Sequence, residues 1–194
     1  VADMPFLSYH RSLEETITNA GRFLQEGGAK AVKLEGGQEQ CPKIRTLVEI
    51  GIPVLGHIGL TPQSVHQLGG FKVQGKGAKQ AQKLLEDAKS LEDAGAFAVV
   101  LECVPAPLAA LITQAISIPT IGIGAGAGCD GQVLVSYDAL GMFDDFRPKF
   151  VKRYARIGEE IRRAVGAYCA EVRDGTFPDE AHSYGSLREM SEGV

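Results

Sequence analysis

The sequence lacks the features of several large protein classes. No apolar run approaches the ~20 residues that a helix needs to cross a bilayer, and the net charge is only −4. Neither a nucleic acid nor a membrane is therefore expected as a partner. Cysteine is scarce, with no CxxC pair or zinc-like spacing, which favours reduced thiols and a cytoplasmic location, or a mitochondrial one if the protein is eukaryotic. The cysteines are Cys41, Cys103, Cys129 and Cys169.

Common catalytic signatures are also missing. The sequence contains no GxSxG, HExxH or P-loop pattern. One stretch, GIGAGA at residues 122–127, fits the loose GxGxxG/A pattern of dinucleotide-binding proteins. That pattern needs a helix directly after it, because the helix N-terminus receives the pyrophosphate. The following GCDGQVLV instead predicts loop and strand, so we expect no nicotinamide or flavin cofactor, and the glycines allow tight turning or close approach of a ligand.

Apolar strands and amphipathic helices alternate along the chain. This alternation predicts an α/β fold with a parallel sheet covered by helices on both faces. The spacing allows either an open doubly wound sheet or a barrel. We expect one domain over residues 1–184 and a polar tail at 185–194. Strands are predicted within residues 1–6, 29–37, 52–60, 96–103, 118–128 and 131–138, and helices within 12–28, 41–51, 78–95 and 105–116.

Two helix patterns carry more detail. Ser12 and Glu15 form a capping-box pattern at the start of the first helix. From Lys149 onward, apolar residues recur at intervals of three and four, which predicts a long amphipathic C-terminal helix that packs on this domain or on a neighbouring subunit. Its apolar residues are Phe150, Tyr154, Ile157, Ile161, Val165, Tyr168 and Val172.

Charged residues stand at the ends of the first four predicted strands. Asp3 closes the first strand, Lys33 and Glu35 the second, His57 the third and Glu102 the fourth. Lys33 and Glu35 are two residues apart, so their side chains share one face of the strand. In parallel α/β folds the carboxyl ends of the strands form the ligand-binding edge. We therefore expect these side chains to form an active site.

The residue types in this set suit enolisation next to a carbonyl group. Asp3 and Glu35 are hard oxygen donors that suit Mg²⁺, and Lys33 could hold a carboxylate or an oxyanion. Glu102 follows apolar residues and would be partly desolvated, as a general base should be. Other interpretations remain open: Lys33 and Glu35 could form a structural ion pair, Asp3 could cap a helix, and His57 could be a hydrogen-bonded core histidine.

At these residues the sequence closely resembles the ketopantoate hydroxymethyltransferases, over residues 1–184. The resemblance implies a (β/α)8 TIM barrel of the phosphoenolpyruvate/pyruvate type, in which the six strands would be the third to the eighth. The family carries a further metal-binding aspartate in a Gly-Asp-Ser turn that is absent here, so we expect this chain to lack roughly the first two βα units and to be inactive alone. The matching segments are ADMPF, GGAKAVKLEGG, GHIGLTPQSVHQLGGFKVQG, AGAFAVVLECVP, IPTIGIGAG, CDGQVLVSYDALG and GTFPDEAHSY.

The resemblance also implies an activity. It is the transfer of a hydroxymethyl group from 5,10-methylenetetrahydrofolate to 3-methyl-2-oxobutanoate, which gives ketopantoate with the help of Mg²⁺. Asp3 and Glu35 would bind the metal, and Asp3 and Lys33 the 2-oxo acid. Glu102 would remove the C3 proton, while His57 matches an active-site residue of less certain role. A large homo-oligomer is implied, and the loop 69–77 could border the folate.

Two alternatives differ from this reading. A sibling Mg²⁺-dependent lyase or mutase, of the isocitrate lyase or phosphonopyruvate mutase type, would use a reactive cysteine in a Lys-Cys-Gly loop, and no KCG occurs in the sequence. A truncated, non-catalytic barrel would have no reason to retain Asp3, Lys33, Glu35 and Glu102 together.

Overall fold

A computed structural model describes residues 1–143 and 146–185. Two compact units are present, Val1–Leu134 and Val135–Val194. In the described part, no helix has the length and apolar character needed to cross a membrane. The strands are β1 (Ala2–Asp3), β2 (Val32–Glu35), β3 (Val54–Gly59), β4 (Ala98–Glu102), β5 (Thr120–Ile123) and β6 (Gly131–Gln132). The helices are α1 (Leu13–Gln25), α2 (Cys41–Glu49), α3 (Val65–Leu68), α4 (Ala78–Asp93), α5 (Ala106–Ala115), α6 (Ser136–Ala139) and α7 (Ile157–Asp174).

The six strands form one parallel sheet in the order β1-β2-β3-β4-β5-β6. The prediction of six parallel strands is confirmed. A doubly wound sheet would reverse its strand order at a switch point, and this sheet does not. Neighbouring strands in an α/β barrel follow one another in the same sequential way.

One face of the sheet packs against the helices. Helices α1, α2, α4 and α5 each connect two neighbouring strands, and because such crossovers share one hand these four helices lie on one side of the sheet. Within the first unit, the prediction of connecting helices on both faces is therefore wrong. The strand residues of this core are every second residue of β2, β3 and β4, with Gly56 between two of them. They are Val32, Leu34, Val54, Ile58, Val99 and Leu101. The helix residues that meet them include Ala20, Ile44, Leu47, Ala88, Leu91, Ala109 and Ile112.

Helix α1 begins as its sequence predicts, although its capping box is only half formed. The Ser12 side chain accepts a hydrogen bond from the backbone N–H of Glu15 at 3.0 Å. The Glu15 carboxylate does not return to Ser12, because Arg11 binds it at 2.9 Å. A complete capping box satisfies two backbone N–H groups at the start of a helix with side-chain acceptors. Here a side chain satisfies one of them, the N–H of Glu15.

The sixth strand is shorter than its apolar pattern predicts. Strand β6 ends at Gln132, and Ser136–Ala139 forms helix α6. Val133 and Val135 are exposed. Among the described residues, burial therefore gives no reason for the strand to continue through these two valines. The GIGAGA stretch leads from β5 into a loop and then into β6, and no helix follows it directly. A dinucleotide site would need such a helix.

In the second unit, helix α7 starts later than its periodicity predicts. Phe150 and Tyr154 precede the helix, which begins at Ile157. The backbone N–H of Tyr154 donates to Ala139 at 2.8 Å and that of Ile157 to Leu140 at 3.1 Å, so this segment is tied to the end of α6 instead of coiling. The single domain over 1–184 stays a prediction, and the polar tail falls, apart from Gly185, outside the described residues.

Candidate active site

The five polar residues singled out in the sequence lie on the face of the sheet that the helices leave uncovered. The register pairs Asp3 with Lys33, Glu35 with His57, and Gly59 with Glu102. Side chains on paired residues of neighbouring strands share a face. The alternation that buries Val32 and Leu34 against the helices therefore turns Lys33 and Glu35 to the opposite side. The structure thus brings the five side chains together, and the catalytic and metal-binding roles that the sequence suggests for them stay predictions.

The position of His57 differs from the prediction. His57 does not end its strand, because β3 continues to Gly59. It reaches the same cluster because it is the register partner of Glu35 and points to the same side. Its side chain is 4% exposed, as is that of Glu35.

Lys33 is the cationic centre of the cluster. Its Nζ lies 2.7 Å from Asp3 Oδ1 and 3.9 Å from Glu35 Oε1. It also lies 3.1 Å from His57 Nδ1. An ammonium group can only donate hydrogen bonds, so this last contact requires Nδ1 to be the acceptor and places the imidazole proton on Nε2. Lys33 thereby fixes the tautomer of His57.

The other imidazole nitrogen faces Glu102. His57 Nε2 lies 3.2 Å from Glu102 Oε2, yet the two groups are not aligned as a hydrogen bond, and Nε2 has no hydrogen-bond partner among the described residues. The distance shows that the two side chains are adjacent, and the misalignment shows that the contact is incomplete. A small rotation of either side chain would complete it, as catalytic hydrogen bonds often tighten when substrate binds.

Glu35 is held inside the protein from several sides. Burial raises the pKa of Glu35, against the opposing influence of the Gln63 backbone N–H and the positive charge of Lys33. That N–H donates to Glu35 Oε2 at 2.9 Å. A desolvated carboxylate gains most from a cation placed next to it. Asp3 differs, since its side chain is 56% exposed and open to solvent.

The donor set of this cluster suits a hard divalent cation. Asp3, Glu35 and Glu102 supply three carboxylates, while Lys33 supplies one ammonium group, so negative charge is in excess. Mg²⁺ typically takes one or two protein carboxylates and completes its shell with water and substrate oxygens. Among the described residues, no group of three or more His, Cys, Asp or Glu side chains forms a closed metal site. Two carboxylates at an open edge fit Mg²⁺ better than they fit zinc, which favours nitrogen and sulfur ligands.

A cysteine nucleophile is not available next to Glu102. Cys103 directly follows it, and burial raises the pKa of the Cys103 thiol to about 11. The thiolate is the reactive form of cysteine, so this thiol stays protonated and unreactive near neutral pH. A raised thiol pKa is the opposite of what a nucleophilic cysteine at this position would need.

Two residues that the sequence did not single out contact the cluster. Tyr9 is fully buried, and its hydroxyl lies 3.2 Å from the backbone nitrogen of Glu35. Gln63 supplies the backbone N–H that binds the Glu35 carboxylate. Neither residue stands at a strand end, and 54 positions separate them. No local spacing could have revealed them.

Comparison with known proteins agrees with the geometry. Residues 1–180 match the sequence profile of the family described as ketopantoate hydroxymethyltransferase. A 3-methyl-2-oxobutanoate hydroxymethyltransferase of Syntrophus aciditrophicus is 64% identical over 184 residues, which span 95% of this chain and 68% of that protein. The enzyme of the same name from Carboxydothermus hydrogenoformans is 61% identical over 194 residues, covering 100% of this chain and 70% of its own length.

A solved structure supports the fold independently. The crystal structure of a phosphonopyruvate hydrolase superposes with a TM-score of 0.51 at 15% sequence identity, covering 98% of this chain and 66% of that one. At that identity the likeness concerns the fold alone. The sequence match is far stronger and continuous along the chain, and on that ground the chain belongs to the ketopantoate hydroxymethyltransferase family.

Proposed function

We propose that this protein is a 3-methyl-2-oxobutanoate hydroxymethyltransferase of pantothenate biosynthesis. It transfers a hydroxymethyl group from 5,10-methylenetetrahydrofolate to 3-methyl-2-oxobutanoate and forms 2-dehydropantoate (ketopantoate). Two relatives that carry this enzyme name are 64% identical to the chain over 184 residues and 61% identical over 194 residues. The observation that carries the proposal is the chain of contacts from Lys33 through His57 to Glu102. These contacts support the proposal because an ammonium group, an imidazole and a carboxylate stand next to one another on one face of the sheet, as proton removal beside a carbonyl group would need.

We further propose that the six strands belong to a (β/α)8 barrel of the phosphoenolpyruvate/pyruvate type. The sequential parallel order supports this. So does the separation of one face, packed on helices, from the opposite face, which holds the site and is called the polar face below for the charged residues on it. In a barrel this polar face would line the interior at the carboxyl ends of the strands, where barrel enzymes bind their substrates.

Asp3 and Glu35 are the proposed Mg²⁺ ligands. The excess of carboxylate over ammonium in the cluster supports a divalent cation there, and both residues offer the oxygen donors that Mg²⁺ prefers. When bound, Mg²⁺ would act as a Lewis acid on the carbonyl oxygen of the 2-oxo acid, which makes the C3 proton more acidic. Asp3, being the more exposed of the two, is also the better placed to contact the substrate.

Glu102 is the proposed general base that removes the C3 proton. Its side chain is 15% exposed, so little water competes for its oxygens. His57 would donate its Nε2 proton to a Glu102 oxygen and so orient the other oxygen towards the substrate. Lys33 would hold the oxo acid and balance the negative charge that develops on its oxygen as the proton leaves. C3 would then bond to the one-carbon unit of the folate while the two bonds from that carbon to the folate nitrogens break. Water would supply the hydroxyl group of the new hydroxymethyl group, and the proton from C3 and the second proton of the water would go to the two nitrogens of the departing tetrahydrofolate.

Proton exchange at C3 tests this assignment without the folate. The protein tested, here called the wild type, is the complete gene product. In D₂O with Mg²⁺, it should make the C3 proton of 3-methyl-2-oxobutanoate disappear from the NMR spectrum at an enzyme-dependent rate. Glu102→Gln should slow the exchange by about 10²–10⁴-fold, the usual contribution of a general base. Glu86→Gln, on the exposed face of α4, is the matched control and should exchange like the wild type. Metal-loaded wild-type protein that leaves the C3 proton in place would contradict the proposal.

We also propose that the protein is a homo-oligomer and that α7 contributes to the contact. Four apolar residues on this helix are exposed in the single chain, where water would surround them. A contiguous apolar face of this kind is typical of an interaction surface. Light scattering coupled to size exclusion tests it, and a monomer at micromolar concentration would contradict it. The four residues are Ile161, Val165, Tyr168 and Val172.

A further inference from the structure

A hydrogen-bond network joins Tyr9 and Gln63 to Glu35. Tyr9 is fully buried and stands at its centre. The backbone N–H of Glu35 donates to the Tyr9 hydroxyl oxygen at 3.2 Å, and the Tyr9 hydroxyl donates to Gln63 Oε1 at 3.0 Å. Burial raises the pKa of Tyr9, so the phenol keeps the proton that it donates.

Gln63 connects this tyrosine to two strand ends. Its backbone N–H donates to Glu35 Oε2 at 2.9 Å. Its side-chain Nε2 donates to the backbone carbonyl of Met4 at 2.8 Å. Met4 directly follows Asp3 in the chain. Gln63 therefore holds the carboxylate of one proposed metal ligand with its backbone, and holds the chain next to the other with its side chain.

The network sets where the two carboxylates stand relative to each other. Asp3 ends β1 and Glu35 ends β2. Just past them the backbone keeps one hydrogen bond to a neighbouring strand, from the Met4 N–H to the Lys33 carbonyl at 3.1 Å and from the Gly36 N–H to the His57 carbonyl at 2.9 Å. The links to Tyr9 and Gln63 add to these bonds and are the ones that reach the Glu35 carboxylate.

We infer that Tyr9 and Gln63 are positioning residues that hold Glu35, and its separation from Asp3, in the arrangement that binds the divalent cation. This inference rests on the proposed function, since it assigns a role at the same site. Neither residue touches the substrate or the reacting atoms; both act through Glu35. Partners that orient a metal ligand typically contribute 10–100-fold to metal affinity or activity, by the general experience with metal sites.

The test compares Tyr9→Phe with wild-type protein and with Tyr154→Phe. Tyr9→Phe keeps the buried ring and removes only the hydroxyl, whereas Tyr154 lies outside the first unit and is 71% exposed. Mg²⁺ is titrated calorimetrically without substrate, and C3 exchange is then measured as Mg²⁺ is raised. Tyr9→Phe should weaken the Mg²⁺ Kd by roughly 10-fold or more, and excess Mg²⁺ should restore much of the exchange. Tyr154→Phe should match the wild type in both.

The outcomes separate this inference from the proposed function. If the wild type shows no Mg²⁺-dependent exchange, the proposed function fails and the inference fails with it. If the wild type exchanges the proton but Tyr9→Phe has an unchanged Kd and only a lower melting temperature, the tyrosine is merely structural and the inference alone is overturned. Should Tyr9→Phe not fold, Gln63→Met decides in the same way: a Kd weakened about 10-fold supports the inference, and an unchanged Kd overturns it.

Discussion

Gly59 gives the sharpest test of how the sheet positions Glu102. It is the last residue of β3 and the register partner of Glu102. Its φ of +91° lies in the region that favours glycine, and a Cβ there would overlap the carbonyl oxygen of Glu102 and come within 2.8 Å of Val104 Cγ2. The neighbouring Leu60 N–H donates to the same carbonyl at 2.8 Å. An alanine at position 59 must therefore push the backbone that carries the proposed base.

The expected loss of stability in Gly59→Ala has two parts, and the same substitution at a second glycine separates them. A positive φ on a residue with a Cβ costs about 1–3 kcal/mol, and overpacking a filled site costs about 1–3 kcal/mol more. Gly51 has a φ of +90°, but a Cβ there would meet no atom within 4 Å. Gly51→Ala should thus show only the first cost, and Gly59→Ala both, for a total of about 2–6 kcal/mol.

Activity should separate the two variants more strongly than stability does. A displacement of about 1 Å in a catalytic group can cost about 10²-fold in rate, and Gly59→Ala displaces Glu102, whereas Gly51→Ala lies in the turn before β3. Urea unfolding gives the free energies of unfolding, and C3 exchange at saturating Mg²⁺ gives the rates. Equal losses of stability together with equal exchange rates in the two variants would refute the reasoning, because the clash would then be relieved without moving Glu102.

Three further predictions concern stability. Burial raises the pKa of Glu35 above its usual 4.5. The folded protein therefore binds the carboxyl proton of Glu35 more tightly than the unfolded chain does. The stability that protonated Glu35 contributes is lost as the pH rises from the unfolded-state pKa through the folded-state pKa. In metal-free buffer, Glu35→Gln should therefore have a higher melting temperature than the wild type at neutral pH, and the difference should shrink below pH 4.5. A difference in melting temperature that stays constant with pH would contradict this. Asp87→Ala should lose about 1–3 kcal/mol in urea unfolding, because the buried carboxylate binds the Gln38 N–H at 3.0 Å. Its exposed neighbour Glu86→Ala should change stability by less than about 0.5 kcal/mol. Leu91→Ala, in the core, should lose about 2–5 kcal/mol, whereas a comparable loss in the half-exposed Leu111→Ala would show that burial is not the cause.

The sequence predicts the site largely because strands are periodic. Lys33 and Glu35 stand two apart between the buried residues Val32 and Leu34, and only one face can satisfy both pairs. The same alternation turns Glu102 outward from the helix-packed face. The positions of these residues follow from local pattern alone, as the observed register confirms.

Contacts between distant segments could not be predicted in this way. Tyr9 lies in a loop between polar residues, where an aromatic side chain has no pattern that indicates burial. Its partner Gln63 follows a different strand, and only the folded sheet brings the two within 3.0 Å. The start of α7 was misplaced for a related reason, since Tyr154 keeps the helical spacing but its backbone is bonded to Ala139.

The energetics of Glu35 connect the fold to the proposed reaction. A buried carboxylate with a raised pKa is a cost that the apo protein bears, and Lys33, at 3.9 Å from it and 2.7 Å from Asp3, offsets that cost only in part. Surplus negative charge in a desolvated site lowers stability but increases the gain when a divalent cation enters. On our inference, the hydrogen bonds with Tyr9 and Gln63 oppose the alternative response, in which Glu35 would turn away towards solvent. A substitution that relaxes this arrangement should therefore stabilise the metal-free protein and weaken its binding of Mg²⁺. Across a series of variants at position 35, the melting temperature of the metal-free protein and the Kd for Mg²⁺ should rise together.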